Sequence, residues 1–424
     1  MTSAPDAAPT QAAWFDEARF GMFVHWSASS QQGVELSWPM VGGIPALPYG
    51  TPMAVDDYYR GALDFDPKPD SPRAFVAAAK AAGMGYAVLT TKHHDGFSMF
   101  PSAFSDFSIA QAAYGRDIVR EYVDALRAED MRVGFYYSLS DWHQPDYPAY
   151  GADESSYLAY LGKRSEPEAW ARYVDIMFGQ VRELLTNYGQ IDVLWFDGQW
   201  ERTADEWKAT ELEQMIRELQ PGILINDRLP GGGDITTPEQ GVPDDVPTGR
   251  WETCMTMNRT WGYCPADHEY KSAHDLVHTL CEIAGKGGNL LLNVSPTGTG
   301  ELPPEQLERL EVVGRWMRDH GESIRGTTAG LEAWQFYGPS TRKGNRLFLH
   351  LPWRPYDSFR VRGIRLNAVQ SVKHLATGEA LEWTKRATAQ QEMFGRDPVG
   401  DLVISVPEWL LDPVATVVEV TLAD

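Results

Sequence analysis

The chain has 424 residues, 43% of them hydrophobic, and a formal net charge of −22 at pH 7. That length and apolar content can bury a large interior and suit one big domain with a smaller companion. The acidic balance argues against nucleic acid, whose phosphates need clustered Lys and Arg, and no run approaches the roughly 18 uncharged apolar residues of a membrane span.

Residues 1–13 are Ala/Pro/Thr-rich, with neither a basic nor an apolar segment of a secretory signal. They read as a disordered leader of a cytoplasmic protein. The cysteines, Cys254, Cys264 and Cys281, are odd in number and lack Cys-x-x-Cys spacing, which favours neither a disulfide framework nor a zinc ribbon.

A first strand is expected at Phe20-Gly-Met-Phe-Val-His-Trp26, with Phe23 and His25 on one face. A long Gly/Pro/Ser-rich loop from Ser27 to about Pro52 follows and carries Glu35 and Trp38. A helix from Ser71 to Ala82, capped by Asp70 or Ser71, leads into strand Tyr86–Thr91, which delivers Lys92-His-His-Asp-Gly-Phe97. A helix from Arg116 to Glu129 precedes strand Arg132–Ser138, where alternation puts Tyr137 with Phe135.

Helical spacing of Trp170, Val174, Met177, Val181 and Leu184 predicts a helix from Glu168 to Asn187. It runs into a short strand, Ile191–Phe196, that ends in an Asp197-Gly turn. Trp195 and Asp197 share a face, so a carboxylate emerges beside an indole at the strand's C-terminal end. A helix from Asp205 to Leu219, strand Gly222–Arg228, strand Trp251–Met257, helix Ser272–Gly285, strand Asn289–Val294 and helix Pro304–His320 complete this half, the last with Leu307, Leu310, Val313 and Met317 on its apolar face.

About seven strands alternating with helices indicate parallel βα units. Polar residues end nearly every strand (His25, His93, Tyr137, Asp197, Arg228, Glu252, Asn293), which suits a closed (β/α)8-like, TIM-type barrel whose strand ends converge on one mouth. An open sheet would instead bind ligand at one switch point, and no Gly-x-Gly-x-x-Gly follows the first strand. From about residue 331 the pattern changes to short alternating runs, including 346–351, 359–364, 368–372, 402–406 and 415–422, which predict a C-terminal antiparallel β-sandwich. The barrel domain is therefore assigned to 14–330 and the sandwich to 331–424.

Carboxylates, imidazoles, a guanidinium and aromatic rings at one mouth suit an uncharged ligand rich in hydroxyls. Adjacent His93 and His94 should point to opposite sides, and metal sites want converging spacings such as His-x-His. No metal or cofactor is expected. No Gly-x-Ser-x-Gly elbow suggests a serine nucleophile. A sugar-binding barrel without catalysis and a metal-dependent amidohydrolase remain as alternatives; the first would lack a carboxylate and the second would carry stoichiometric zinc.

Seven motifs in order, Phe20–Trp26, Thr91–Phe97, Tyr136–Ser138, Leu194–Gly198, Asn226–Arg228, Trp251–Thr256 and Gly287–Asn293, resemble the motif series of the family 29 glycoside hydrolases, the α-L-fucosidases. The resemblance implies a retaining exo-hydrolase that releases terminal L-fucose from fucosylated oligosaccharides or glycoconjugates through a covalent intermediate. Asp197 falls on that family's nucleophile. His25, His93, His94, Tyr137, Trp195 and Arg228 match its sugar-binding positions, and Glu35 and Trp38 resemble its first-loop contacts. Two residues compete for the acid/base. Glu239 lies in a Gly/Pro-rich loop where a mobile acid could reach the leaving group and be desolvated; Glu252, on a strand, is the alternative.

Overall fold

The computed structural model describes residues 12–41, 52–151, 157–394 and 397–423. Eight parallel strands form the barrel: β1 Phe20–Val24, β2 Tyr86–Lys92, β3 Arg132–Ser138, β4 Val193–Asp197, β5 Leu224–Ile225, β6 Ile235–Thr236, β7 Arg250–Thr256 and β8 Asn289–Val294. Their order is β5-β4-β3-β2-β1-β8-β7-β6, and the ring closes between β5 and β6 through a parallel bridge at Asn226 and Ile235. Asp227 N–H donates to Ile235 O at 2.9 Å, and Asp234 N–H to Ile225 O at 2.6 Å.

Helices between the strands coat the barrel with their apolar faces. The helix Ile118–Ala128 buries Ile118, Tyr122 and Leu126, and the Asp117 carboxylate caps it by accepting Arg120 N–H. Ser272 and Asp275 form a reciprocal capping box at the start of helix Ala273–Gly285. In helix Pro304–His320, Leu310, Val313 and Met317 are buried, whereas Leu307, expected on that face, is 38% exposed. No described helix is long and apolar enough to cross a membrane, and all three cysteines are free and buried.

Inside the ring a separate core forms from inward side chains, among them Phe23, Tyr86, Val88, Tyr136, Trp195, Cys254 and Leu291. Its floor is closed by a helix that the sequence reading assigned in part to a leader. Residues 1–11 lie outside the described residues, but Ala12 is buried and the helix Ala13–Ala18 places Trp14 and Phe15 against Tyr86, with ring centroids 5.5 and 5.8 Å away. Arg250 on β7 clasps Asp16 of that helix through two hydrogen bonds of 2.8 Å.

Three local differences from the sequence reading stand in this half. The expected helix 205–219 is two helices, Ala204–Trp207 and Ala209–Leu219, because Lys208 turns left-handed (φ 48°). Thr203 and Glu206 cap the first helix, and Trp207 anchors it through its indole N–H to Gln199 O at 3.0 Å. The strand expected at 222–228 shortens to β5. The eighth strand, β6, lies in the Gly/Pro-rich stretch read as loop.

Beyond the barrel, β9 Thr328–Ala329, β10 Ser340–Lys343, β11 Arg346–Leu351, β12 Phe359–Arg365, β13 Val369–His374, β14 Glu382–Arg386, β15 Val399–Ser405 and β16 Thr416–Leu422 form two antiparallel sheets, β13-β16-β11-β10-β9 and β12-β15-β14. Leu349, Leu402, Ile404 and Val418 fill the space between them. All five expected strands are present. The sheet already begins at Thr328, and Phe348, Ala415 and Val417 belong to the core that coats the barrel. Trp316 joins the two halves by donating its indole N–H to Ala415 O at 2.7 Å.

Candidate active site

The C-terminal ends of the strands surround a cavity of about 250 Å³ lined by Phe23, His25, Leu36, Trp38, His93, His94, Tyr136, Trp195, Asp197, Trp200, Arg228, Glu239, Cys254 and Trp261. Pockets for drug-sized ligands run roughly 300–1,000 Å³, so this one suits a single small ring. A larger cavity of about 590 Å³ lies away from these carboxylates, among Tyr263, Tyr270 and Pro304.

Asp197 ends β4 and is 8% exposed. Burial opposes its ionisation, but the Arg228 charge, the Arg228 hydrogen bond and the Tyr136 phenol outweigh it and hold the carboxyl below its ordinary value. Arg228 Nη1 donates to Asp197 Oδ1 at 2.9 Å, and the Tyr136 hydroxyl to Oδ2 at 2.8 Å. The other terminal nitrogen of Arg228 donates to Glu239 Oε2 at 2.7 Å, and the guanidinium lies 4.6 Å from the Trp195 ring centre. One guanidinium thus joins both carboxylates. Glu239 is the more open of the two, its side chain 41% exposed, so the desolvation expected for it is not found. Its backbone is not loose either, for Glu239 bridges Cys254 and Gln240 N–H donates to Cys254 O at 2.9 Å.

The imidazoles are anchored from behind. His25 Nδ1 lies 2.6 Å from Asn293 Oδ1, whose Nδ2 donates to Trp261 O at 2.8 Å. Asn293 therefore presents its oxygen to His25, Nδ1 carries the proton, and Nε2 is an acceptor. His94 Nδ1 meets Ser138 Oγ at 2.7 Å; that hydroxyl already donates to Ser140 O, so the same tautomer follows. His94 Nε2 stands 3.9 Å from Asp197 Oδ2. His93 Nδ1 pairs with Ser37 Oγ at 2.5 Å. Burial lowers the His25 and His94 pKa values to about 4, so both rings are neutral at pH 7.

His25, Trp38, His93, His94, Trp195, Asp197, Arg228 and Glu239 are all brought together as expected. The adjacent histidines, expected to diverge, both line the cavity, because β2 ends at Lys92 and its alternation ends with it. Among the described residues no group of three or more His, Cys, Asp or Glu side chains is arranged to hold a metal.

Three candidate residues fall elsewhere. Tyr137 points away from the cavity, under Lys92 and against Gln180 Oε1 at 2.7 Å; its neighbour Tyr136 takes the cavity position. In the parallel register Tyr136 pairs with Trp195, and paired residues of parallel strands face the same way. Glu35 is fully buried behind the wall and accepts the Trp261 and Gly262 amides at 2.8 Å each; burial raises its pKa to about 8. Glu252 lies beneath the cavity floor, between the Tyr86 hydroxyl at 2.6 Å and the Trp195 indole N–H at 3.2 Å, where burial raises it to about 7. Sequence reasoning passed over Trp200, in the short 3-10 turn Gln199–Glu201, and Trp261, in a loop, where no periodicity marks a face.

Two carboxylates on one guanidinium, in a ring-sized aromatic cavity at the mouth of a parallel barrel, are an arrangement that suits a glycoside hydrolase. The family model described as Alpha-L-fucosidase matches residues 2–322, and the chain belongs to that family. It is 29% identical to the tissue alpha-L-fucosidase of Homo sapiens over 423 residues, which covers 93% of this chain and 85% of that protein. It is 30% identical to the plasma alpha-L-fucosidase of Homo sapiens over 403 residues, 88% and 83% of the two chains. Among solved structures, alpha-L-fucosidase isoenzyme 1 from Paenibacillus thiaminolyticus superposes with a TM-score of 0.84 at 40% identity, over 98% of this chain and 99% of that one. The Thermotoga maritima alpha-fucosidase, solved in complex with a mechanism-based inhibitor, superposes with a TM-score of 0.79 at 28% identity, over 97% of each chain.

Proposed function

We propose that the protein is a retaining, exo-acting α-L-fucosidase in which Asp197 is the nucleophile and Glu239 the acid/base. The observation that carries this is the Arg228 guanidinium shared by the two carboxylates. Retaining cleavage wants its two carboxyl groups about 5–5.5 Å apart, and a common guanidinium supports a short separation. Asp197, rigid on β4 and stabilised as an anion, attacks the anomeric carbon. Glu239, exposed at the rim, gives its proton to the departing oxygen and then takes one from the water that cleaves the fucosyl-Asp197 ester.

Neutral His25 and His94 accept hydrogen bonds from sugar hydroxyls at Nε2, and Trp195, Trp261 and Phe23 face the ring's C–H surfaces and methyl group. Below this floor the barrel is filled by Glu252, Tyr86 and Phe15, so only a chain end can enter. That favours release of terminal fucose from fucosylated glycans. The test is fucose release from an aryl α-L-fucoside in the presence of EDTA, with the anomer of the first product read by proton NMR. Release of α-fucose supports the reading. Binding without turnover, or activity lost to EDTA and restored by zinc, overturns it.

A further inference from the structure

Glu35 is 0% exposed, and both of its oxygens are committed to one dipeptide: Oε1 accepts Trp261 N–H and Oε2 accepts Gly262 N–H, each at 2.8 Å. That dipeptide belongs to the loop between β7 and helix Ala273–Gly285. A second buried carboxylate, Asp267, gathers the same loop from within. Its Oδ2 accepts from the Asn258 amide, from Arg259 and Thr260 N–H, and from the Thr260 hydroxyl, at 2.8 to 3.0 Å.

Between these two anchors sits Trp261, whose ring lies 5.0 Å from that of His25 and 6.0 Å from that of Phe23. The Trp261 carbonyl in turn fixes Asn293, which sets the His25 tautomer. Room at the junction is tight. A Cβ on Gly262 would come within 3.1 Å of Leu36 Cδ2 and 3.2 Å of Glu35 Oε2.

From this geometry we infer that Glu35 is a positioning residue: through the Trp261 and Gly262 amides it sets the aromatic wall and the acceptor nitrogen of His25, and so governs sugar affinity without touching the sugar. The role rests on the fucosidase reading of the cavity. It predicts a specific kinetic signature. A wall that holds the ring equally well before and during reaction changes binding rather than chemistry, so its loss appears in KM and leaves kcat nearly alone.

Glu35→Gln keeps the shape but turns an NH2 group toward one of the two amides, which it cannot accept. With an aryl α-L-fucoside, KM should rise by about 10-fold while kcat changes by less than about 3-fold. Calorimetric binding of free L-fucose should weaken by the same factor. Gly262→Ala displaces the loop with the carboxylate intact and should give the same split, which keeps the inference testable if Glu35→Gln folds poorly. In a Trp261→Ala background the Glu35→Gln effect should shrink by half or more on a logarithmic scale. Fully additive effects, or a fall in kcat at unchanged KM, would overturn the role. If the wild-type protein binds fucose but hydrolyses no fucoside, the fucosidase reading fails, and the calorimetric arm still decides what Glu35 does.

Discussion

The Tyr136 hydroxyl donates to Asp197 Oδ2 across 2.8 Å, from the position on β3 in register with Trp195. A phenol aimed at a carboxylate stabilises the anion, and hydrogen bonds to charged groups contribute about 1.5–3 kcal/mol. Tyr136→Phe should therefore lower kcat/KM on an aryl fucoside by roughly 10- to 100-fold and move the acid limb of its pH profile upward, because Asp197 loses part of what keeps its carboxyl low. Tyr137→Phe removes only the bond to Gln180. It should cost about 1 kcal/mol of stability and leave the pH profile in place. Reversed outcomes would mean that the other tyrosine serves the cavity.

On the proposed mechanism the two carboxylates divide the reaction in a way that azide separates. Asp197→Gly removes the attacking group, so turnover should fall by several orders of magnitude whatever the leaving group. Azide can then enter from the vacated face and give the β-fucosyl azide. Glu239→Ala keeps the nucleophile, and a nitrophenolate leaves without much protonation, so the covalent intermediate still forms. Azide needs no general base to open it and should yield the α-azide. Proton NMR of the azide anomer thus assigns each residue. Azide rescue of Glu252→Ala, with Glu239→Ala fully active on oligosaccharides, would move the acid/base role beneath Trp195.

Stability should be lost at both ends of the pH range. His25 and His94 titrate near 4 in the folded state against an ordinary 6.5, so between those values the unfolded chain binds protons that the folded protein refuses. Their contribution is full above about 6.5 and lost as the pH falls toward 4. Glu35 and Glu252 are shifted by burial to about 8 and about 7 from 4.5. Here the folded state holds the extra protons, and stability declines as the pH rises through those folded values. Thermal unfolding followed across the range should show both flanks. Glu252→Gln should remove its share of the decline between about 4.5 and 7, whatever its effect on the absolute melting temperature; an unchanged slope in that window would remove Glu252 from the account.

The sandwich should matter to the barrel as a lid on its outer core. Phe348, Ala415 and Val417 pack into that core, and Trp316, 2% exposed, reaches Ala415 O. Trp316→Ala should destabilise by about 3–5 kcal/mol, read by urea unfolding, with kcat per folded molecule unchanged. Removal of residues 331–424 should then expose the Pro304–His320 face and yield aggregated protein. A truncated barrel that stays folded yet loses all turnover would show that the sandwich contributes to the site.

What could be read without coordinates followed from how residues announce a face. Long strands with apolar runs and turn residues at their ends, Arg132–Ser138 and Asn289–Val294, fall where expected. So does Asp197, because a carboxylate ending an apolar strand points to the mouth of a parallel barrel. Tyr137 failed for the opposite reason. From Val133 to Ser138 the strand is buried on both sides, so alternation names two faces without saying which is inward. The two-residue strands β5 and β6 are too short for any period, and the polar β10 and β14 show no apolar stripe. Glu35 carried no local signal, since its partners lie more than 200 residues away along the chain.

The β5–β6 joint is the thinnest in the ring, two residues on each side where other barrel strands run five to seven. Arg228 follows one of these strands and Glu239 the other. Their ion pair is thus a suture across the weakest line of the wall, and it is tied with the same guanidinium that steadies Asp197. One guanidinium therefore both steadies Asp197 and spans the joint, so removing it should loosen β5 from β6. The Asp227 and Asp234 amides, which stitch that joint at 2.9 and 2.6 Å, are where amide exchange would record it.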